Sequence, residues 1–180
     1  MSLVALSYPR VPEEHQKFMD EVRNRHDRKY KDIVRPHFSL VFSVPDIPET
    51  AFLAHVAAIA AKHEPIPFVC RYAMTHDDRA NDDWYVFLVP DEGFSAIARL
   101  HDELYTGILA PHLLLDRPYI PHIGVATNRD NLACKRLADE LNSGALLVSG
   151  AIDAITISEY DGTAVRDLRQ VPLGRGQQHD

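Results

Sequence analysis

Positive charge, long apolar runs, paired cysteines and glycine-rich turns are all scarce in this chain, and each scarcity closes off a class of function. Lysine and arginine together number 19 against 26 aspartates and glutamates, a net charge of −7. A protein that tracks a long phosphate backbone carries a basic stripe, because counterion release supplies most of its affinity. Long nucleic acid is therefore not the expected partner, while a small phosphorylated ligand in a local pocket stays compatible with this balance. No apolar run approaches the ~20 residues needed to span a bilayer. Met1 to Pro12 lacks the charged head and apolar stretch of a signal peptide. A cytoplasmic protein with no membrane partner is the default expectation. Cys70 and Cys134 stand alone, without a C-x-x-C partner, and read as small buried hydrophobes in a reducing compartment. A glycine-rich phosphate loop, a Gly-x-Ser-x-Gly elbow, His-x-His and His-Glu-x-x-His are all missing, so neither a metal nor a cofactor is expected.

What is there is an ordinary globular composition, 180 residues of which 46% are hydrophobic and 25% charged, enough for one domain or two small lobes. Residues 3–7 read as a first strand. Pro12 with Glu13 and Glu14 opens a helix carrying Phe18, Val22, His26 and Tyr30 at i+4 steps. A strand at 37–43, a helix at about 48–62 and two strands at 66–74 and 84–89 follow. The second half repeats this order, offset by 85 residues: a helix at about 92–106, a strand at 122–126, a helix at 129–142 stopped by Gly144, and strands at 146–157 and 164–171 joined by the turn Tyr160-Asp161-Gly162-Thr163. The expected fold is α+β and bilobal: two mainly antiparallel sheets, helices outside, a cleft between the lobes. The expected domain is 1–173, with pseudo-repeats at about 11–90 and 91–172, and 174–180 form a polar tail. A monomer is expected.

Superposing the halves by that offset brings a histidine onto a histidine. The segments are Arg35-Pro36-His37-Phe38-Ser39-Leu40-Val41 and Ile120-Pro121-His122-Ile123-Gly124-Val125-Ala126. Proline biases the residue before it to extended geometry and sits at the start of strands. Side chains alternate along a strand, so His37 and Ser39 share one face opposite Phe38, Leu40 and Phe42. His122 and Gly124 share a face opposite Ile123 and Val125. The apolar faces belong in a core and the histidine faces look into the space between the lobes. A lone His-x-Ser carries little information, and Pro111-His112 is a further Pro-His pair without a counterpart; the information lies in the paired placement. Two such histidines suit phosphoryl chemistry: one neutral imidazole takes a proton while the other, protonated, gives one to the leaving oxygen.

These paired Pro-His strand segments and the duplicated frame resemble the two-histidine (2H) phosphoesterase superfamily, which includes 2′-5′ RNA ligase-like proteins and cyclic nucleotide phosphodiesterases. The resemblance covers about residues 3–172, with its diagnostic part confined to the two segments. It implies metal-independent hydrolysis of a cyclic phosphodiester, commonly a 2′,3′-cyclic phosphate opened to a 2′-phosphate, or of a 2′-5′ linkage. It also implies a small phosphodiester or nucleotide substrate, RNA ends included. Family roles transfer to His37 and His122 as catalytic residues and to Ser39 as a phosphate-binding hydroxyl. The family pattern places Ser or Thr where this chain has Gly124, so the second phosphate-binding position lacks its hydroxyl. Thr127 does not replace it, because it falls on the opposite strand face and heads Thr127-x-x-Asp130, a helix-cap pattern. The alternative that follows from Gly124 is a catalytically weakened relative that binds a nucleotide.

Candidate substrate contacts surround these segments. Arg35 and Arg117 flank them and offer positive charge to a phosphate. Trp84 and Tyr119 offer ring faces to a base, as do Tyr72 and Tyr85. The run Thr75 to Asp83 reads as a long acidic loop, either a solvated surface or a lid or ligand contact.

Overall fold

The structure, a computed structural model, describes residues 1–78 and 82–174. Among the described residues there are eight strands and four α-helices: β1 (Ser2–Ser7), α1 (Glu13–His26), β2 (Phe38–Val44), α2 (Glu49–Ala60), β3 (Ile66–Asp78), β4 (Asp83–Glu92), α3 (Phe94–Leu104), β5 (Ile123–Asn128), α4 (Asn131–Ser143), β6 (Val148–Ile152), β7 (Ala154–Tyr160) and β8 (Val165–Pro172). A 3-10 turn, Gly107–His112, follows α3. No helix among the described residues is long and apolar enough to cross a membrane.

The strands form two four-stranded antiparallel sheets, β2-β1-β7-β8 and β5-β4-β3-β6. Each sheet therefore draws on both halves of the chain, and the halves that read alike in sequence are interleaved in space. β2 and β5, the strands that follow the two Pro-His pairs, occupy the outer edge of their respective sheets. One continuous apolar core includes Phe38, Phe68, Leu88, Leu100, Ile123 and Ile152. Helix α4 packs on β3 and β4, α1 beside β5, α2 on β7 and β8, and α3 on β2.

Four sequence expectations change. The apolar run 146–157 is two strands in two different sheets, broken at Asp153. There the backbone carbonyl accepts from the Leu173 amide at 2.8 Å and the carboxylate from Arg10 Nε at 2.9 Å, which turns the chain from one sheet into the other. The segment 75–83 is mostly strand: β3 continues to Asp78 and β4 starts at Asp83, with 79–81 outside the described residues. In β2 the alternation slips. Ala5 pairs with Val41 while Leu6 pairs with Ser39, so Leu40 is an extra, bulged residue. Both Leu40 and Val41 are buried, and Phe42 is turned out of the core to half-exposure. Finally, α4 is capped by Asp130, whose carboxylate accepts from the Leu132 and Ala133 amides, whereas Thr127 is engaged elsewhere.

Thr127 is held by the end of α1. That helix stops at His26, short of Tyr30, because Asp27 leaves the helical conformation and spends its carboxylate on the following turn. Asp27 Oδ1 accepts from the Lys29 amide (3.2 Å), the Tyr30 amide (2.9 Å) and the Thr127 hydroxyl (3.1 Å), while Oδ2 takes Arg23 Nε and Nη2. Arg23 and Asp27 are 4% and 3% exposed, so this is a buried, fully hydrogen-bonded ion pair. It fixes α1 to the edge strand β5 and starts the loop that carries the chain across to His37. Removing one partner of such a pair strands the other charge in the interior, which costs about 3–5 kcal/mol. Asp27→Ala is therefore expected to lose about that much stability in equilibrium urea unfolding. A loss below about 1 kcal/mol, the scale of one ordinary hydrogen bond, would show that the pair does not anchor α1.

Candidate active site

Each histidine stands immediately before its edge strand, and the two are built alike. His37 Nδ1 lies 2.7 Å from the Arg35 carbonyl and His122 Nδ1 lies 2.6 Å from the Ile120 carbonyl, in each case the residue two positions earlier, across a proline. A carbonyl only accepts, so Nδ1 carries the hydrogen in both rings and Nε2 is left as the atom that takes or gives a proton. Burial pushes both imidazoles down from the usual 6.5 to about 4, against the opposing pull of those carbonyl bonds. His37 also lies close enough to His122 to help hold its proton affinity down. At rest the pair is neutral at neutral pH.

Ser39 and Gly124 lie two residues on, along the same faces. Ser39 is half-buried in β2, cross-strand from Leu6. Gly124 is cross-strand from Phe87, and a Cβ placed on it would meet no atom within 4 Å. The missing side chain therefore leaves open space beside His122.

The two cleft walls differ in chemistry. On the β3–β5 sheet an aromatic row leads away from His122. Its ring lies on Phe87 (centroids 3.6 Å, 19° between planes), Phe87 neighbours Tyr85 (5.6 Å, 30°) and His76 (5.1 Å, 23°), and Tyr85 neighbours Tyr30 (6.2 Å, 22°). The Tyr85 hydroxyl donates to Asp78 at 3.1 Å. On the other sheet a polar cluster sits beside His37. Tyr8 meets its ring edge-on at 6.1 Å and donates its hydroxyl to Asp167 at 3.0 Å. Ser158 donates to the same carboxylate oxygen at 2.8 Å. Burial and Asp167 together raise the Tyr8 phenol to about 12. Arg35 covers the Tyr8 ring at 3.9 Å and reaches Asp167 at 3.4 Å.

Of the residues singled out from sequence, the fold gathers His37, Ser39, His122, Gly124, Arg35, Tyr85 and Tyr119 around the cleft, while Tyr72 is exposed elsewhere on β3. Tyr119 enters as a bridge between segments, its hydroxyl donating to the Ser39 carbonyl at 3.0 Å. Trp84 does not join them: it shares the opposite face of β4 with the buried Val86 and Leu88 and packs against the core. Arg117 is exposed in a turn, 3.9 Å from Asp116, and takes no part in the network around either histidine among the described residues. Phe87, Tyr8, Asp167 and Ser158 escaped sequence reading, while His76, inside the run expected to be a loop, stands on β3 beside Phe87. Phe87 lies in a run apolar on both faces, where alternation carries no signal. Tyr8, Ser158 and Asp167 meet only through the pairing of β1, β7 and β8. Two surface hollows, of about 370 and 540 Å³, lie around Pro67, Phe68 and Val69, and neither histidine lines them. No three His, Cys, Asp or Glu side chains converge as a metal-ligand set among the described residues.

Similarity to known proteins extends over the whole fold. Solved structures share the fold along nearly their whole length. Escherichia coli LigT complexed with 3′-AMP is 14% identical with a TM-score of 0.55, 97% of this chain matching 98% of that one. Kluyveromyces marxianus Usb1 is 11% identical with a TM-score of 0.55, covering 95% and 97%. A structure described as a phosphoesterase is 13% identical with a TM-score of 0.58, covering 97% and 100%. No curated protein sequence matches the chain. The model of the 2′-5′ RNA ligase superfamily, in contrast, matches residues 11–164, and with both histidine segments inside that span the chain belongs to this superfamily.

Proposed function

We propose that the protein is a metal-independent phosphodiesterase that hydrolyses a cyclic phosphodiester, a 2′,3′-cyclic nucleotide or the same group at an RNA end, to a 2′-phosphate. The observation that carries this reading is the matched pair of imidazoles, each donating from Nδ1 to the carbonyl two residues back and each leaving Nε2 free. In the reaction water attacks phosphorus and gives a proton to one Nε2. The bond from phosphorus to the 3′ oxygen breaks, and that oxygen takes a proton from the other Nε2, leaving a 2′-phosphate and a 3′-hydroxyl. Ser39 Oγ donates to a phosphate oxygen as negative charge builds on it. The same pair of proton transfers cleaves a 2′-5′ linkage. The outer part of the aromatic row, His76 and Tyr85 beyond the buried Phe87, suits the base of a nucleotide, and the related LigT and Usb1 structures hold 3′-AMP and uridine monophosphate.

Turnover is tested with a panel of 2′,3′-cyclic nucleotides in EDTA, followed by phosphorus NMR. Wild type is expected to open the ring, and His37→Ala and His122→Ala each to lose about 10²–10⁴ in rate, the usual worth of one positioned acid or base. Activity that survives both substitutions would remove these residues from the mechanism.

Gly124 favours a second reading, a weakened relative that binds a nucleotide with little turnover. A preorganised donor in the transition state is worth up to about 2.7–4 kcal/mol, or 10²–10³ in rate. Since the position has room for a side chain, Gly124→Ser is expected to fold normally and to raise kcat. Unchanged, negligible kcat with unaltered nucleotide affinity would favour the binding protein.

The depressed imidazoles give a pH signature with a definite sign. Both rings are expected to titrate well below 6.5, near 4, in the free protein, and to be neutral above that pH. A bound anion favours the charged form, so inorganic phosphate is expected to move both midpoints upward in imidazole NMR titrations. Midpoints at 6.5 or above without phosphate would mean that the rings are not desolvated.

A further inference from the structure

We infer that Tyr119 is a positioning residue that locks the two histidine segments into one geometry, an inference that rests on the two-histidine reading above. Tyr119 immediately precedes the second segment, three residues before His122, yet its hydroxyl donates to the carbonyl of Ser39 in the first segment, at 3.0 Å. Its ring lies flat on His101, with centroids 3.6 Å apart and planes parallel within 0°. His101 is 2% exposed and bonds from Nδ1 to the next carbonyl along, that of Leu40, at 2.9 Å. One residue further on from Val41, the Phe42 amide donates to the Tyr105 hydroxyl at 2.9 Å, and the Tyr105 ring packs on His101 at 4.8 Å.

The outer edge of β2 is thus closed by three side chains where another strand would otherwise pair. A strand edge has to be satisfied somehow, and His101 and Tyr105, both from the end of α3, would suffice for Leu40 and Phe42. The bond to Ser39 is different in kind. It comes from the lead-in to the other histidine, and it grips the peptide that sets the direction of the Ser39 side chain, two residues from His37. The bulge at Leu40 makes this peptide a place where the strand would otherwise be free to slip. The stacked His101 ring stops the phenol from swinging away. Movement of the 119–122 lead-in is therefore passed directly to Ser39, and within the frame set by the interleaved sheets this hydrogen bond and stack tune the spacing between Ser39, His37 and His122. Positioning of this kind acts on the chemical step more than on binding, because displacement of the reacting groups by about 1 Å costs up to about 10²-fold in rate.

Tyr119→Phe tests this, since it keeps the ring on His101 and removes only the hydroxyl. With a cyclic nucleotide that wild type turns over, kcat is expected to fall at least about 10-fold, within the range set by misplacement, while KM changes less than about 2-fold. His101→Phe, which keeps the stack and loses the Leu40 bond, is expected to lower kcat in the same direction by less. A second readout needs no turnover: in the substrate-free protein the Ser39 amide and the His37 imidazole NMR signals are expected to shift in Tyr119→Phe, with signals of the distant β6 and α4 unmoved. Wild-type kcat in Tyr119→Phe, or Ser39 and His37 signals that stay in place, overturns the inference. If wild type turns over no cyclic nucleotide, the proposed activity fails by itself, and the NMR comparison still decides whether Tyr119 sets the geometry of the pair.

Discussion

The hydrogen bond that each histidine donates to the carbonyl two residues behind it is a small interaction with large consequences. It selects the tautomer, it holds the ring against rotation, and it does so from within the same short segment, so the device needs no partner from elsewhere in the fold. Pro36 and Pro121 contribute by removing a competing amide and by holding Arg35 and Ile120 extended. Since the device is local, it can be used twice, once ahead of each edge strand. What the rest of the fold has to supply is the relative placement of the two copies and the partial burial of their rings.

Placement comes from interleaving. If each half of the chain formed its own lobe, the two segments would be joined by one flexible connection. Instead β7 and β8 complete the sheet begun by β1 and β2, β5 and β6 complete the sheet made by β3 and β4, and the chain changes sheet at Asp153. The buried Arg23–Asp27 pair adds a tie from α1 to Thr127 on β5. A buried ion pair is weak evidence of net stability, because desolvation offsets the attraction. Its geometric specificity is the better account of it here: five hydrogen bonds converge on one carboxylate, and they fix where the loop to His37 departs.

The two histidine segments were legible in sequence because local rules act together there: a proline, a histidine, an alternating face and the same spacing twice. The hairpin turn at 160–163 was legible for a similar reason, with the Asp161 carboxylate accepting from the Thr163 and Ala164 amides and Gly162 at φ +97°. What failed depended on tertiary context. The run 146–157 is apolar throughout, so nothing in its pattern marks the point where it changes sheets. Trp84 carries an aromatic ring suited to a base, yet alternation with Val86 and Leu88 turns it to the core, while the plainer Phe87 meets His122. Strict alternation places Phe42 in the core, and the bulge at Leu40 turns it out. The Tyr8–Asp167–Ser158 cluster joins three strands, two of them far from the first in sequence, and no local signal could anticipate it.

The depressed proton affinity of the pair raises an apparent difficulty, since a general acid has to hold a proton near neutral pH. Burial lowers each imidazole from 6.5 to about 4. A phosphodiester bears one negative charge. At about 4 Å from an imidazolium in surroundings of effective dielectric about 20, the attraction is about 4 kcal/mol, equivalent to about 3 pKa units. That is of the same size as the loss on burial and of opposite sign, so on the proposed reading a bound phosphodiester restores the proton that burial disfavours. Only one proton is restored at modest cost, because the first imidazolium repels a second and also neutralises the phosphate charge. One ring is then protonated and the other neutral, as acid–base catalysis requires. On the proposed reading the burial of the two rings does not oppose the chemistry; it makes the proton arrangement conditional on a bound anion.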